Sequence, residues 1–199
     1  QERGTRALDQ LRRGVEEAIS ALGSGFLAHP ANQSLRKKLH SGELDAQDYY
    51  RQLLRLVYRL IFLFAAEDRD LLLDPQADAA VRQRYLRYYS TARLRHLAER
   101  QRGGRHADLW QGLLVVTDIL GGKRIHRRAA GNAKDTFEIT KENSASLAPL
   151  RLDLGLPVLN GFLFSDKALP DLEAAQVDNG ACLNSIRSLA FTVEGKSRR

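Results

Sequence analysis

AQDYYRQLLRLVYRLIFLFAA, residues 46–66, decides how this chain folds. Tyr49, Tyr50, Leu53, Leu54, Leu56, Val57, Tyr58, Leu60, Ile61, Phe62, Leu63 and Phe64 recur at three- and four-residue spacing, so apolar side chains cover most of a helix circumference. A helix apolar nearly all round is buried by neighbours on several sides, which makes this one the expected centre of the core. Asp45, just ahead, has the short acceptor side chain of an N-cap, and Asp48 follows three residues on. Glu67, Asp68, Arg69 and Asp70 mark the return to solvent.

Working outward, Ala7, Leu8, Leu11, Val15, Ala18, Ile19 and Leu22 predict an amphipathic helix over 6–22, ended by Gly23 and Gly25. His29-Pro30 turns the chain into a short helix through Leu35 and Leu39. Asp74-Pro75 pairs an N-cap acid with a proline at the first helical position and predicts a helix to about residue 89. Ser90 or Thr91 caps the next, which runs to about residue 100. Gly103-Gly104 interrupts, a further helix spans 107–120, and Gly121-Gly122 ends it.

Residues 123–147 lack periodicity and read as a loop or poorly ordered excursion, with a short strand around 137–140. Residues 150–164, rich in Leu, Gly and Pro, read as irregular packed chain. A last helix over 179–189 is followed by a strand over 190–194 and a turn at Glu194-Gly195-Lys196. The expected class is therefore mainly α: an irregular helical domain with a few short strands near the C-terminal end. The expected organisation is a helical core domain over 1–122, an excursion over 123–150, and a smaller Leu-rich segment over 151–199 packed on the first.

With 43% hydrophobic and 28% charged residues in 199, the chain has an ordinary globular composition and can bury a core without disulfide or metal. Its one cysteine, Cys182, excludes an internal disulfide and fits a reducing compartment, so a cytoplasmic location is expected. The longest apolar run, 60–66, has seven residues against the about 20 of a membrane span. The chain contains no methionine, and we expect it to be a piece of a longer protein.

The net charge of +7 is unevenly placed. Residues 82–134 hold 13 Lys and Arg against 3 Asp and Glu, whereas residues 1–81 and 135–199 are each slightly acidic. Within that stretch Arg82, Arg84, Arg87, Arg93, Arg95, Arg100, Arg102 and Arg105 are interleaved with Tyr85, Tyr88 and Tyr89. Arginines neutralise phosphates and tyrosines stack or hydrogen-bond along a backbone, so Arg82, Arg84, Arg87, Arg93, Arg95, Arg102 and Arg105 are the candidate DNA contacts. The alternative is two ordinary helices with tyrosines inside and arginines in solvent. A second row, Arg51, Arg55 and Arg59, lies on one face of the apolar helix and suits a solvated stripe or pairing with acids such as Glu67 and Asp68 or others in the fold, with phosphate contact as the alternative.

Catalytic signatures are missing: there is no glycine-rich phosphate loop, no HExxH, no paired CxxC and no GxSxG. His29, His40, His96, His106 and His126 fall on separate segments, so no metal site and no cofactor are expected in this chain. Glu194 and Lys196 have the spacing of a carboxylate–lysine pair in metal-dependent nucleases, which leaves a small nuclease as a third reading.

The run from Tyr49 to Arg69 resembles the N-terminal helical region of large bacterial restriction-modification adenine methylases, the type IIG-like enzymes and their BREX- and DISARM-related phage-defence relatives. Arg84-Tyr-Leu-Arg-Tyr-Tyr-Ser-Thr-Ala-Arg-Leu-Arg95, His106-Ala-Asp-Leu-Trp110, Leu156-Pro-Val-Leu-Asn-Gly-Phe-Leu-Phe164 and Ile186-Arg-Ser-Leu-Ala-Phe-Thr192 resemble that family too. The likeness covers most of 5–122 and 152–199, and its motifs are of the packing kind. It implies a parent that transfers a methyl group from S-adenosylmethionine to adenine N6 in DNA, with an Asn/Asp-Pro-Pro-Tyr/Phe loop holding a flipped base. This chain has no Pro-Pro pair and no glycine-rich cofactor motif, so no catalytic residue carries over. The expected role is an accessory module whose partners are DNA and the remainder of the parent methylase, with no membrane; the rival is a scaffold that never touches DNA.

Overall fold

The computed structural model describes residues 2–123, 125–127, 138–139, 150–151, 153–159 and 161–193, with side chains described over 8–123, 153–159 and 161–190. The chain is mainly helical. Its order is α1 Glu2–Ala28, α2 Gln33–Ser41, α3 Ala46–Asp68, α4 Ala79–Tyr88, α5 Thr91–Arg100, α6 Asp108–Leu120 and α7 Asn179–Val193, with a 3-10 turn at Phe162–Phe164. Between α6 and that turn, β1 Ile125–Arg127 pairs antiparallel with β2 Glu138–Ile139 on one side and β3 Leu150–Arg151 on the other. The remainder of the excursion expected over 123–147, and the turn and nuclease-like pair at Glu194 and Lys196, lie outside the described residues.

The centre of the core is α3, as its sequence requires. Leu53, Leu56, Val57, Leu60, Leu63 and Phe64 are buried, Leu56 and Leu60 at 3% exposure each. Asp45 caps the helix, its carboxylate accepting the Gln47 and Asp48 amides at 2.5 and 2.9 Å. The cover is nevertheless incomplete. Helices α1 and α5 and the 3-10 turn pack on α3, but Tyr50, Tyr58 and Phe62, spaced along one outer row, remain 50%, 49% and 38% exposed. Neighbours stand on several sides of the helix, as expected, and it is the burial of that one row that fails.

Three other expectations are corrected. Helix α1 does not stop at Gly23 and Gly25. Helix α7 crosses it so closely that a Cβ on Gly25 would stand 2.4 Å from the Ala181 Cβ, so the glycine is a packing notch. Asp74-Pro75 forms a turn rather than a helix start: Asp74 accepts Gln76 N on its side chain at 2.9 Å and Ala77 N on its carbonyl at 3.0 Å, and α4 begins at Ala79. Over 190–193 the strand expected at 190–194 is instead the end of α7, and Glu194 lies outside the described residues. Leu183, Ile186, Leu189 and Ala190 repeat at helical spacing and are buried against α1 and α5, and this period overrides the β-propensity of Phe191, Thr192 and Val193.

Residues 165–178 carry no regular helix yet bury Ala168, Leu169, Leu172 and Val177 completely, so their backbone polar groups need partners. Helix α3 supplies them from one face. Gln52 accepts the Asp171 and Leu172 amides at 3.0 and 3.3 Å and donates to the Asp171 carboxylate at 2.8 Å. Arg55 donates to Ala168 O at 3.0 Å. Arg59, 1% exposed, donates to Leu163 O at 2.6 Å, Ser165 O at 3.2 Å and Glu173 at 3.2 Å. Asn32 closes the far end, donating to Phe26 O and Gln176 O and accepting Gln176 N.

Beside Arg59, Lys123 meets Asp118, Asp166 and Glu173 at 2.8, 2.7 and 2.9 Å. Burial pushes the Asp118 carboxyl up, against the pull of Lys123. Burial likewise lowers the Arg59 guanidinium, against Glu173. Of the arginine row on α3, two members therefore hold the fold together internally, while Arg51 pairs with Asp48 in solvent at 2.6 Å.

Candidate nucleic-acid interface

The basic stretch folds into α4, α5 and the loop that leads to α6. Glu67, at the end of α3, sets the hinge between α4 and α5. Its carboxylate accepts the Thr91 and Ala92 amides at 2.7 and 2.8 Å and the Tyr85 hydroxyl, while Ser90 accepts Arg93 N at 3.2 Å as the N-cap. A carboxylate at a helix N-terminus faces unpaired amides and the positive end of the dipole, so it is well placed there. Tyr85 is thereby a core residue. Burial, reinforced by Glu67, raises the pKa of its hydroxyl. Tyr89 is half-buried, and Tyr88 is the exposed member of the three, at 55%.

The arginines divide by what holds them. Arg95 donates two bonds to Asp68 and lies 5.2 Å over the Phe64 ring, with 12% of its side chain exposed. Arg82 donates to Asp74 O at 3.3 Å and pairs loosely with Asp70 at 3.6 Å. Arg84 donates to Asp153 O at 2.9 Å, and Arg93 reaches Tyr88 O at 3.4 Å. Arg87, Arg100, Arg102 and Arg105 are exposed and have no carboxylate partner among the described residues. Arg87 stands over the Tyr88 ring at 5.4 Å. Arg87 lies near the end of α4, whereas the Arg100–Arg105 group begins at the far end of α5, a ten-residue helix about 15 Å long.

The loop over 101–107 joins α5 to α6 and is fixed from the outside by α7. Arg187 donates to Ala98 O and Gln101 O at 2.7 and 2.9 Å, closing the C-terminal end of α5. Asn179 N donates to His106 O at 2.6 Å, and Gly180 N donates to Gly104 O at 3.3 Å. The Asn179 side chain accepts Leu109 N at 3.1 Å and donates to Asp108 at 2.8 Å. Gly103, at φ +78°, rests on this helix start: a Cβ there would be 2.6 Å from the Asn179 carbonyl. Sequence reading found the loop's arginines but not Asn179, Gly103 or Arg187 as the groups that position them. Gly103-Gly104 reads as a break, and its partner lies some seventy residues later.

Among the described residues no group of three or more His, Cys, Asp and Glu could hold a metal ion, and no helix is long and apolar enough to cross a membrane. Cys182 is buried, which pushes its thiol up to about 12 and away from the reactive thiolate. No family model, no curated protein and no solved structure matches this chain.

Proposed function

We propose that this chain is an accessory helical module of a cytoplasmic DNA adenine methylase in a restriction or phage-defence system, and that it contacts duplex DNA through phosphates without reading sequence. The observation that carries the DNA contact is the exposed set Arg87, Arg100, Arg102 and Arg105, unpaired among the described residues within the one strongly basic stretch. The methylase assignment rests on the sequence resemblance. S-adenosylmethionine and the transfer step would belong to the rest of the parent.

Titrating the chain into a fluorescently labelled duplex at low salt tests this. Non-specific binding is expected, with Kd about 10⁻⁴–10⁻⁶ M near physiological salt and a steep loss as salt rises, because each neutralised phosphate releases counterions. The same affinity is expected for unrelated sequences. No binding at about 10⁻⁴ M protein in low salt rejects the reading.

A second reading, a protein-docking module, is favoured by the α3 row. Tyr50, Tyr58 and Phe62 form an exposed apolar strip on α3, bordered on the helix by Arg51 and by Arg55, whose guanidinium lies 5.1 Å over the exposed Phe162 ring. Aromatic and arginine residues are enriched at protein interfaces, and this border suits an apolar helix flanked by carboxylates.

A further inference from the structure

Resting on the DNA-contact reading, we propose that the phosphate-binding element is the loop from Arg100 to His106, presented as a preformed site by the start of α7. The flanks of α4 and α5 are not the site: Arg87 is exposed and without a carboxylate partner among the described residues, but it stands alone there, over the Tyr88 ring. Arg100, Arg102 and Arg105 project from a backbone held at four points: Gln101 O by Arg187, Gly103 against the Asn179 backbone, Gly104 O by Gly180 N, and His106 O by Asn179 N. Arginine side chains lose rotamer freedom on binding, and a loop that must also order its backbone loses more. Fixing the backbone beforehand removes that second cost. The remaining candidates in the stretch differ in kind. The donors of Arg82, Arg84, Arg93 and Arg95 already serve carbonyls and carboxylates of the fold, and a phosphate would have to compete with those partners.

The ligand is the sugar–phosphate backbone of duplex DNA. The loop offers three guanidinium groups and no Phe, Tyr or Trp; its one exposed ring is the His106 imidazole, so it has far less stacking surface than sites built for single strands. Duplex should therefore bind at least as tightly as a single strand of the same length.

Two pairs of variants with the same loss of charge decide between a site and a diffuse field. Arg102→Gln with Arg105→Gln is expected to weaken duplex binding about tenfold at low salt and to reduce the salt slope by up to about 0.9 for each phosphate no longer neutralised. Arg82→Gln with Arg84→Gln is expected to stay within about twofold of the parent chain. Gly103→Ala adds a test in which the charge does not change. Its Cβ must displace the loop from Asn179, so affinity should drop while the circular dichroism spectrum and Tm confirm folding. Arg187→Lys, which keeps the charge and loses the guanidinium's two bonds to Ala98 O and Gln101 O, probes the same fixation if Gly103→Ala does not fold. Equal losses in both double variants, with wild-type binding intact, overturn the loop assignment and leave the DNA reading standing. Preference for the single strand also overturns it. No binding by the unaltered chain rejects the DNA reading itself, and the loop assignment with it.

Discussion

Arginine does opposite work in two regions of this molecule. On α3, Arg55 and Arg59 turn inward and carry the backbone of a segment over a hundred residues away, with Arg59 almost wholly buried. In the loop after α5, Arg102 and Arg105 turn outward, and it is their backbone that is carried, by α7. The sequence places Arg55 and Arg59 among tyrosines and phenylalanines, and Arg102 and Arg105 in a basic stretch that also holds Tyr85, Tyr88 and Tyr89, and residue type does not separate them. What separates them is the nearby supply of unpaired carbonyls. The 3-10 turn and the irregular chain after it present the carbonyls of Leu163, Ser165 and Ala168 to α3, whereas three of the loop's carbonyls, those of Gln101, Gly104 and His106, are already taken by α7.

That contrast predicts a wide spread in what single substitutions do. Arg59→Ala leaves two part-buried carbonyls without their donor and Glu173 with Lys123 as its remaining partner, and should cost about 3–5 kcal/mol in a denaturant melt, the range for breaking a buried ion pair. A loss below about 1 kcal/mol would show that the latch on α3 is not structural. Leu60→Ala, which removes packing from the same helix without touching a charge, should cost about 2–5 kcal/mol. If it costs under roughly 0.5 kcal/mol, α3 is not the core.

A subtler effect belongs to Asp171. Burial pushes its carboxyl up, but hydrogen bonds from Lys38 and Gln52 outweigh that, and its pKa lies below the ordinary range. A folded-state pKa below the unfolded one gives stability that is present above about pH 4 and lost as pH falls through the folded value. The Tm deficit of Asp171→Asn relative to the parent chain should therefore be constant from neutral pH to about 5 and shrink below about 4. A deficit that grows on acidification contradicts the assignment. At the small end, Arg102→Gln should change stability by no more than about 0.5 kcal/mol, since its side chain holds nothing among the described residues. A larger loss would erase the contrast with Arg59.

Much of this fold was readable residue by residue, because the relevant physics is local. Asp45 and Ser90 cap the helices their sequence positions imply, and Leu56 and Leu60 are buried where the apolar period puts them. What escaped was long-range. Gly25 reads as a stop until α7 is known to pass over it, and Ala190 to Val193 read as strand until Leu183, Ile186 and Leu189 find α1 and α5. The candidate site divides the same way. Its charge is in the sequence, but which arginines are free depends on Asp68, Asp70 and Asp153, which only folding brings near.

The notch at Gly25 has a consequence for synthesis. The face of α1 that carries Ala18, Leu22 and Phe26 is sealed by α7, and the link from Asn32 to the Gln176 backbone spans 144 residues. At the usual 5–20 residues per second, a ribosome takes roughly 7–30 s to cover that distance. Through that interval the nascent chain shows an apolar groove whose lid has not yet been made. Helices α3 to α5 can assemble early through their nearer contacts, but the core is complete only once α7 has been made.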